Sequence, residues 1–496
     1  GREDGPVEVP CLWVDELVRP QTVPCADPGA FSAAHARFVE QRVARLQEQK
    51  PLRIARLHRL EATPGRKREE ICRQFAAEIG RAAFDLHRHH AGTDPLSGQR
   101  VSFGIVRMAN IDPLIEVARA LAATPPPEGI RLHLCLYHAR FPLVRRAEIE
   151  AMLDEVFDRR DEGRVWSIPS VRCAIDDARD HEHVFLVLAS PVCEVGRDWD
   201  ADWAIAEPSS MRSVIQLAGR VRRHRQGMSR SVPNVVVFDT NLRALLQPGK
   251  PAFVRPGFEK DTLDQRFLLA SHRLSFLRPD SRTAGGDGER IDAIPRIRTF
   301  PDAFAHAREH LVALEHARME AAMQPLPEEA VRPQAAPAGR PSSRGGGSSW
   351  LRNTRDLACL VWQFPQATLL GVLPRVQPFR HDPEPDRTLV FLPDEEEETL
   401  IAHRVEDDPR KWGQDLYVRV GSDMLHPLQV EPASGVRSWG DVTPTRLLEL
   451  VRELAEFEGL GLREAACRFT VVEVRKEKEN EGKGWEWHPW LGFRLA

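Results

Sequence analysis

Between residues 101 and 239 the chain alternates short apolar runs with stretches of helical periodicity, and this alternation constrains the fold more than any other feature. VSFGIVRMA (101–109), IRLHLCLYH (130–138), HVFLVLAS (183–190), DWAIAE (202–207) and NVVVFD (234–239) read as strands. A helix starting near Asp112–Pro113, with an acidic cap and a proline at its first position, follows the first strand, and a second helix over 142–157 follows the next. Strands separated by helices predict an α/β class with a mostly parallel sheet covered by helices on both faces. In such sheets the working loops lie at the carboxyl ends of the strands, and the stretch after residue 190 is expected at one of them.

The flanks are less regular. Residues 1–99 read as a helical and loop lead-in, with helices over 31–46 and 67–90, and the α/β domain is expected over 100–245. Residues 246–325 read as a helical accessory region and 326–349, rich in Pro, Gly and Ser, as a flexible linker. The glycines of that linker lack the strand before them and the Gly-Lys-Ser/Thr after them that a phosphate loop needs. Residues 350–496 are expected to form a small β-rich domain, with strands in DLACLVWQF (356–364), TLVFLP (388–393), DLYVRV (415–420) and FTVVEVR (469–475) and a helix over 443–457. DEEEE (394–398) reads as a solvated acidic loop.

Charge narrows the function classes. With 69 Lys and Arg against 73 Asp and Glu, the net charge of −4 excludes a uniformly basic nucleic-acid binder, so any such contact has to come from a local patch. No run approaches the roughly 18 apolar residues of a membrane span, so no membrane role is expected. The 8 cysteines are scattered with no C-x-x-C pair, which suits reduced thiols in a cytoplasm and a cytoplasmic location. A first residue of Gly rather than Met is expected of a processed or engineered terminus, or of a fragment.

One segment carries most of the chemistry: EVGRDWDADWAIAEPSSMRSVIQLAGRVRRHR (194–225). With Ser209 as a cap, a helix through this region places Arg212, Gln216, Arg220 and Arg223 on one stripe within roughly 40° of Gln216. Val214, Leu217, Ala218 and Val221 then form the opposite, sheet-facing stripe. Gly219 lies beside the polar stripe, where a missing side chain permits close approach. Guanidiniums are planar, always charged and suited to gripping phosphate oxygens. Aligned on a rigid element they match a nucleotide triphosphate, where an arginine finger contributes about 10³–10⁵ in rate. Asp200 and Asp202, alternating with Trp199 and Trp203, read as structural.

QLAGRVRRHR (216–225) resembles motif VI of superfamily 2 helicases, and SPVCEVGRDWDADWAI (190–205) resembles their motif V. The whole segment is similar to the helicase–nuclease family of type I-F CRISPR–Cas systems, as are FGIVRMANI (103–111), YHARFP (137–142) and EWHPWLGF (486–493). The resemblance implies a second RecA-like domain followed by a C-terminal domain. It implies a catalytic pair, Arg220 and Arg223, with Arg223 as the finger, and an ATP-binding set of Gln216, Gly196, Asp198 and Gly219. It implies a single-stranded DNA track touching Arg107, Arg140 and Ser190, by salt-sensitive phosphate contacts. Ser190–Pro191 stands where many relatives have Thr-Gln, a departure in the DNA-contacting loop.

The same resemblance implies ATP and Mg²⁺ as cofactors, held mainly by an upstream RecA-like half with its P-loop and accompanied by a His-Asp nuclease domain. No G-x-x-x-x-G-K-[ST] loop and no Asp-Glu-x-His/Asp motif occur in these 496 residues, so the isolated chain is expected to be inactive. The full enzyme would be an ATP-dependent DNA helicase and nuclease, recruited by a guide-RNA surveillance complex to unwind and degrade target DNA, with that upstream half as a partner and an inhibitor protein as a further candidate. Two alternatives stand beside it: a catalytically incomplete DNA- or protein-binding module, and another superfamily 2 translocase. His381–Asp382, in a Pro-rich loop, reads as no nuclease site. The cluster His87, His89 and His90 reads as solvated rather than metal-bound, and no metal ligand set is expected.

Overall fold

Strand pairing gathers the apolar runs into one sheet, because runs buried on both faces have no stable place at a surface. The computed structural model describes residues 9–15, 18–48, 51–61, 67–225, 232–254, 258–259, 265–277, 290–291, 302–323, 386–406, 416–475 and 484–496. A hairpin of β1 (Val9–Asp15) and β2 (Val18–Cys25) precedes α1 (Pro28–Glu48). Then follow β3 (Ala55–His58), α2 (Arg68–His90), β4 (Gly92–Thr93), β5 (Arg100–Arg107), α3 (Ile111–Ala122), β6 (Ile130–Tyr137) and α4 (Leu143–Phe157). α5 (Pro169–Asp176), β7 (Glu182–Ala189), β8 (Trp203–Ala206), α6 (Met211–Ala218), β9 (Val235–Phe238), α7 (Leu242–Leu246) and β10 (Arg290–Ile291) complete this part. The C-terminal strands are β11 (Asp386–Pro393), β12 (Leu400–Val405), β13 (Tyr417–Arg419), β14 (Leu425–Pro427), β15 (Val436–Ser438), β16 (Val472–Arg475), β17 (Trp485–His488) and β18 (Gly492–Leu495).

The large sheet runs β10-β3-β9-β8-β5-β7-β6-β15, with β4 paired to β5. Every pairing from β3 to β15 is parallel, and β10 and β4 join antiparallel. The five strands read from the apolar runs are all present, within a residue or two of their expected ends. Four members come from outside the expected 100–245 span: β3, β4, β10 and β15. β3 is ARLH, a four-residue strand whose partner β9 lies almost 180 positions along the chain, so no local pattern announces it. β15 arrives from the C-terminal region to pair with β6. The α3 helix begins at Ile111 behind Asn110, slightly before the expected Asp112–Pro113 start.

The C-terminal residues form a four-stranded antiparallel sheet, β13-β12-β11-β16, and a three-stranded sheet, β14-β17-β18, with helices Arg446–Glu458 and Leu462–Phe469 packed nearby. The expected strand at 356–364, the linker at 326–349 and His381–Asp382 lie outside the described residues. The last residues also seal the large sheet: the Trp490 indole Nε1 and the Trp439 backbone N–H both donate to the carbonyl of Leu134, at 3.0 and 2.7 Å.

Inside the sheet, Gly104 of β5 lies under the Trp203 indole of β8, where a Cβ would meet the ring at 2.2 Å. The indole Nε1 donates to Ser102 Oγ at 3.1 Å, and the same hydroxyl meets His87 Nδ1 at 2.8 Å. His87 Nε2 pairs with Glu182 at 2.9 Å and His90 Nε2 with the Pro233 carbonyl at 2.9 Å. His87 and His90 are therefore buried rather than solvated, because the face of α2 that carries them packs on the sheet; His89 is exposed.

Gly104→Ala is expected to lower stability by about 1–3 kcal/mol through overpacking against Trp203. Gly461→Ala, at φ −65 with nothing within 4 Å, meets no atom and is expected to cost less than Gly104→Ala, at most the roughly 0.5–1 kcal/mol of a weaker N-cap. Urea unfolding midpoints measure both, and equal midpoints would refute the packing account.

Candidate functional site

Topology decides where the arginine-rich segment lies. β7 and β8 run parallel with β5 between them, so the chain leaving β7 at Ala189 has to return to the amino end of the sheet before β8 can start at Trp203. Ser190 and the short turn Pro191–Glu194 stay at the carboxyl end of β7, and Val195–Asp202 make the return. Gly196 allows the reversal with φ +65, and Val195 beside it is 74% exposed. After β8, α6 makes the same return, which brings Gly219–Arg225 to the amino end beside Ala201. The segment expected at the carboxyl ends is therefore split: Ser190 and Glu194 lie there, and Asp198 with the arginine turn lies at the opposite edge.

The helix itself is shorter than its periodicity suggested. Its cap is Ser210, whose Oγ accepts from the Ser213 N–H at 3.1 Å, rather than Ser209, and it ends at Ala218 with Gly219 as C-cap. Beyond it, Ala201 N–H donates to the Arg220 carbonyl at 2.7 Å and Arg222 N–H to the Ala201 carbonyl at 3.0 Å, so Val221 bridges to Ala201 instead of continuing a helix. Arg222 takes φ +49, a conformation costly for a residue with a Cβ, and is held there by this pairing. The single stripe of Gln216, Arg220 and Arg223 is thus not formed. Gln216 is exposed on the helix, whereas the arginines follow in the turn. Val214 and Leu217 do face the core as expected, and Val221 is buried through its bridge.

What bends the chain inward is Arg225. It is buried, its Nε and Nη2 donate to Asp200 Oδ2 and Oδ1 at 3.0 and 2.7 Å, and its Nη1 donates to Asp202 Oδ1 at 2.6 Å. Burial pushes the Asp202 carboxyl up, but the charges of Arg225 and Arg159 outweigh it and hold the group below the usual carboxylate range. Burial likewise pulls the Arg225 guanidinium down, and Asp202 and Asp200 more than offset it. The expectation that these aspartates are structural agrees with this geometry.

Around that knot lies an exposed charged cluster. Asp198, 46% exposed at its side chain, pairs with Arg223 through Oδ1 and with Arg160 through Oδ2, and His224 Nε2 stands 3.3 Å from Oδ2. Arg220 is 8% exposed and donates through Nη2 to the Glu194 carbonyl at 2.9 Å. Burial, with the charge of Arg223 beside it, lowers the Arg220 guanidinium below its ordinary value. Gly196, Asp198, Arg220 and Arg223 therefore gather at one edge, with Gly219 at the helix end above them. This collection of guanidiniums suits polyphosphate oxygens.

The residues expected along a nucleic-acid track are placed differently. Arg107 is buried: Nε donates to Glu194 Oε1 at 2.6 Å, Nη1 to the Glu207 carbonyl at 3.0 Å and Nη2 to Ser213 Oγ at 3.0 Å. Arg140 is buried and paired with Asp112, with Nη2 to Oδ2 at 3.2 Å. Ser190 is buried and donates its backbone N–H to the Tyr137 carbonyl at 3.0 Å. The stretches around Arg140 and the chain's last residues meet here, with Phe493 N–H donating to the Arg140 carbonyl at 2.9 Å. The His138 ring stands 2.9 Å from the Leu491 carbonyl, and burial holds its imidazole down at about 3.

Sequence reading missed Arg160, His224, Glu194 and Glu207. Glu194 joins both groups, its carboxylate holding Arg107 and its carbonyl holding Arg220. Glu207 accepts the Ala109 and Leu242 N–H groups at 2.6 and 2.8 Å, and burial raises its carboxyl. Both acids lie inside the quoted segment beside apolar positions, the signal that could have marked them as buried. Arg160 is distant in sequence and carried none.

Two families match parts of the chain. Residues 100–226 match the family described as CRISPR-associated nuclease/helicase Cas3, C-terminal, and residues 391–495 match CRISPR-associated Cas3 subtype I-F/YPEST-like, C-terminal domain. The CRISPR-associated nuclease/helicase Cas3 subtype I-F/YPEST of Pseudomonas aeruginosa is 40% identical over 491 residues, covering 98% of this chain and 40% of that protein. Its namesake in Pectobacterium atrosepticum is 35% identical over 507 residues, covering 99% of this chain and 40% of that protein. The chain thus spans about 40% of the length of the curated relatives it matches. A crystal structure of T. fusca Cas3 with AMPPNP gives a TM-score of 0.37 at 15% identity, over 86% of this chain and 36% of that one, too distant a likeness to argue from.

Asp202→Asn leaves Arg225 short of a buried partner and is expected to destabilise by about 3–5 kcal/mol. The Asp202 carboxyl titrates lower in the folded than in the unfolded chain, so its contribution is present above the unfolded value of about 3.9 and is lost as pH falls through the folded one. Denaturant unfolding followed from neutral pH into acid should show a steeper loss for the parent than for Asp202→Asn. Parallel curves would show that Asp202 is not the linked group.

Proposed function

We propose that this chain, which belongs to the CRISPR-associated Cas3 subtype I-F/YPEST family as a C-terminal portion, supplies the arginine side of an ATP cleft and part of a DNA track. The whole protein would be an ATP-dependent DNA helicase and nuclease of CRISPR interference, brought to its target by a guide-RNA surveillance complex and open to capture by an inhibitor protein. The observation that carries this reading is the gathering of Gly196, Asp198, Arg220 and Arg223 at one edge of a parallel sheet.

In this reading Arg223, half-exposed and held, among the described residues, by a surface ion pair and the Gly219 carbonyl, is the group able to swing onto a leaving phosphate. Arg220, buried beside it, fixes the turn and adds charge. Gln216 and Gly219 line the approach. ATP with its Mg²⁺ would be held mainly by an upstream RecA-like half bearing the P-loop; among the described residues no group of three or more His, Cys, Asp or Glu could hold a metal ion. For single-stranded DNA, Arg107, Arg140 and Ser190 remain the proposed contacts on one physical condition. Both guanidiniums have to exchange their present carboxylate partners, Glu194 and Asp112, for backbone phosphates. A second reading, a module that binds without turnover, is favoured by the lack of a G-x-x-x-x-G-K-[ST] loop in the 496 residues.

DNA-stimulated ATP hydrolysis distinguishes the two. The chain alone is expected to show none; mixed with an ATPase half carrying the P-loop it should turn over, and Arg223→Ala should lower kcat by about 10³-fold or more. Single-stranded DNA bound by the mixture with no turnover under any condition would sink the first reading and leave the second.

A further inference from the structure

The exposed cluster holds two residues that the ATP reading does not use. Arg160, on the loop after α4, is 61% exposed at its side chain and reaches Asp198 through Nη2 while Nη1 contacts Asp158 Oδ1 at 2.9 Å. His224 is nearly buried, with 7% of its side chain exposed. The backbone N–H of Arg159 donates to His224 Nδ1 at 3.2 Å, so Nδ1 is an acceptor and the ring proton resides on Nε2. That Nε2 is aimed at the cluster, 3.3 Å from Asp198 Oδ2, a contact that helps hold the Asp198 carboxyl low but falls short of full hydrogen-bond geometry. A buried donor whose acceptor is poorly aligned is left short of its full hydrogen bond, and a better-placed oxyanion would complete it.

The local charge is also out of balance. Arg225 and Arg159 are matched by Asp200 and Asp202 in the buried knot. Outside it, Arg160 and Arg223 both pair with Asp198, and Arg160 also with Asp158; Arg53 and Arg220 lie close by, with Asp200 acting on Arg53 and Glu194, itself paired with Arg107, acting on Arg220. Arg53 is anchored here because its Nε donates to the Val221 carbonyl at 2.8 Å. We infer that Arg160 and His224 are further phosphate-contacting residues of this face, and that the Asp198 carboxylate stands where a phosphate oxyanion of the nucleotide binds. This rests on the ATP reading above and deepens it. Asp198 accepts from Arg223 and Arg160 and lies against His224 Nε2, the set of donors that a terminal phosphate group would require. A phosphate arriving at this edge takes over those donors and releases the Asp198 carboxylate from them.

Phosphate oxyanions come from two sources, the polyphosphate of a nucleotide and the backbone of DNA, and the test separates them. Calorimetric titration of the chain with sodium tripolyphosphate, with ATP and with an oligothymidylate is run on the parent, Arg160→Gln, His224→Phe and Asp198→Asn. Arg160→Gln is expected to weaken tripolyphosphate and ATP about tenfold, the scale of one charge-assisted hydrogen bond, and His224→Phe to weaken them less. Asp198→Asn, which removes the competing carboxylate charge, is expected to tighten tripolyphosphate severalfold, a gain that misfolding cannot produce. Unchanged affinity in Asp198→Asn and Arg160→Gln overturns the inference, as does a loss in Arg160→Gln confined to oligothymidylate. Failure here with Arg223→Ala still lowering kcat removes this inference alone, whereas loss of the Arg223 effect removes the ATP reading itself.

Discussion

The position of every charged group at the candidate edge depends on one buried knot, the Arg225 guanidinium clasped by Asp200 and Asp202. Two carboxylates and one guanidinium taken out of water are tolerable only when each is hydrogen-bonded, and here Arg225 uses all three nitrogens on them. The knot draws the chain after α6 against Ala201, and this contact ends the helix and holds Arg222 in a left-handed conformation. Arg220 and Arg223 then lie on either side of Val221, one inward on Glu194 and one outward on Asp198. Without the clasp, a helix continued through residue 223 would place both on a single stripe.

The two edges of the sheet are coupled through short connections. Glu194 touches Arg107 at the carboxyl end of β5 and Arg220 in the turn, so a change in the partner of one guanidinium is felt directly at the other. Glu207 ties the end of β8 to the chain after β5 and to α7. The C-terminal residues add a brace from outside, with Leu491 and Phe493 accepting and donating around His138 and Arg140. These contacts give a physical route by which the proposed phosphate edge and the proposed nucleic-acid track would influence each other, carried by rigid hydrogen-bonded segments rather than by loops alone.

Legibility followed range. The five apolar strands and the helices around them were readable because burial on both faces leaves a continuous apolar run, a signal contained within each segment. The grouping of Gly196, Asp198, Arg220 and Arg223 was readable as a pattern, since their spacing lies inside one stretch of chain. β3 and β15 were not readable: four and three residues with charged members become strands only because β9 and β6 offer open edges. The helix end was misread because Val221 keeps the apolar period while its backbone answers to Ala201. His87 and His90 were misread because the face they share is assigned by packing, not by their own polarity.

The sequence by itself determined the class of fold, a parallel sheet with helical crossovers, and the residue types brought to the arginine turn. Those follow from periodicity and from the chemistry of guanidiniums, both of which act locally. Tertiary structure alone decided which arginines are exposed and which are committed. Arg107 and Arg225 are committed to buried carboxylates and the buried Arg140 to the partly exposed Asp112, whereas Arg160 and Arg223 face solvent around Asp198. All five look alike in the chain, and the difference lies in which carboxylates the crossovers return to their side.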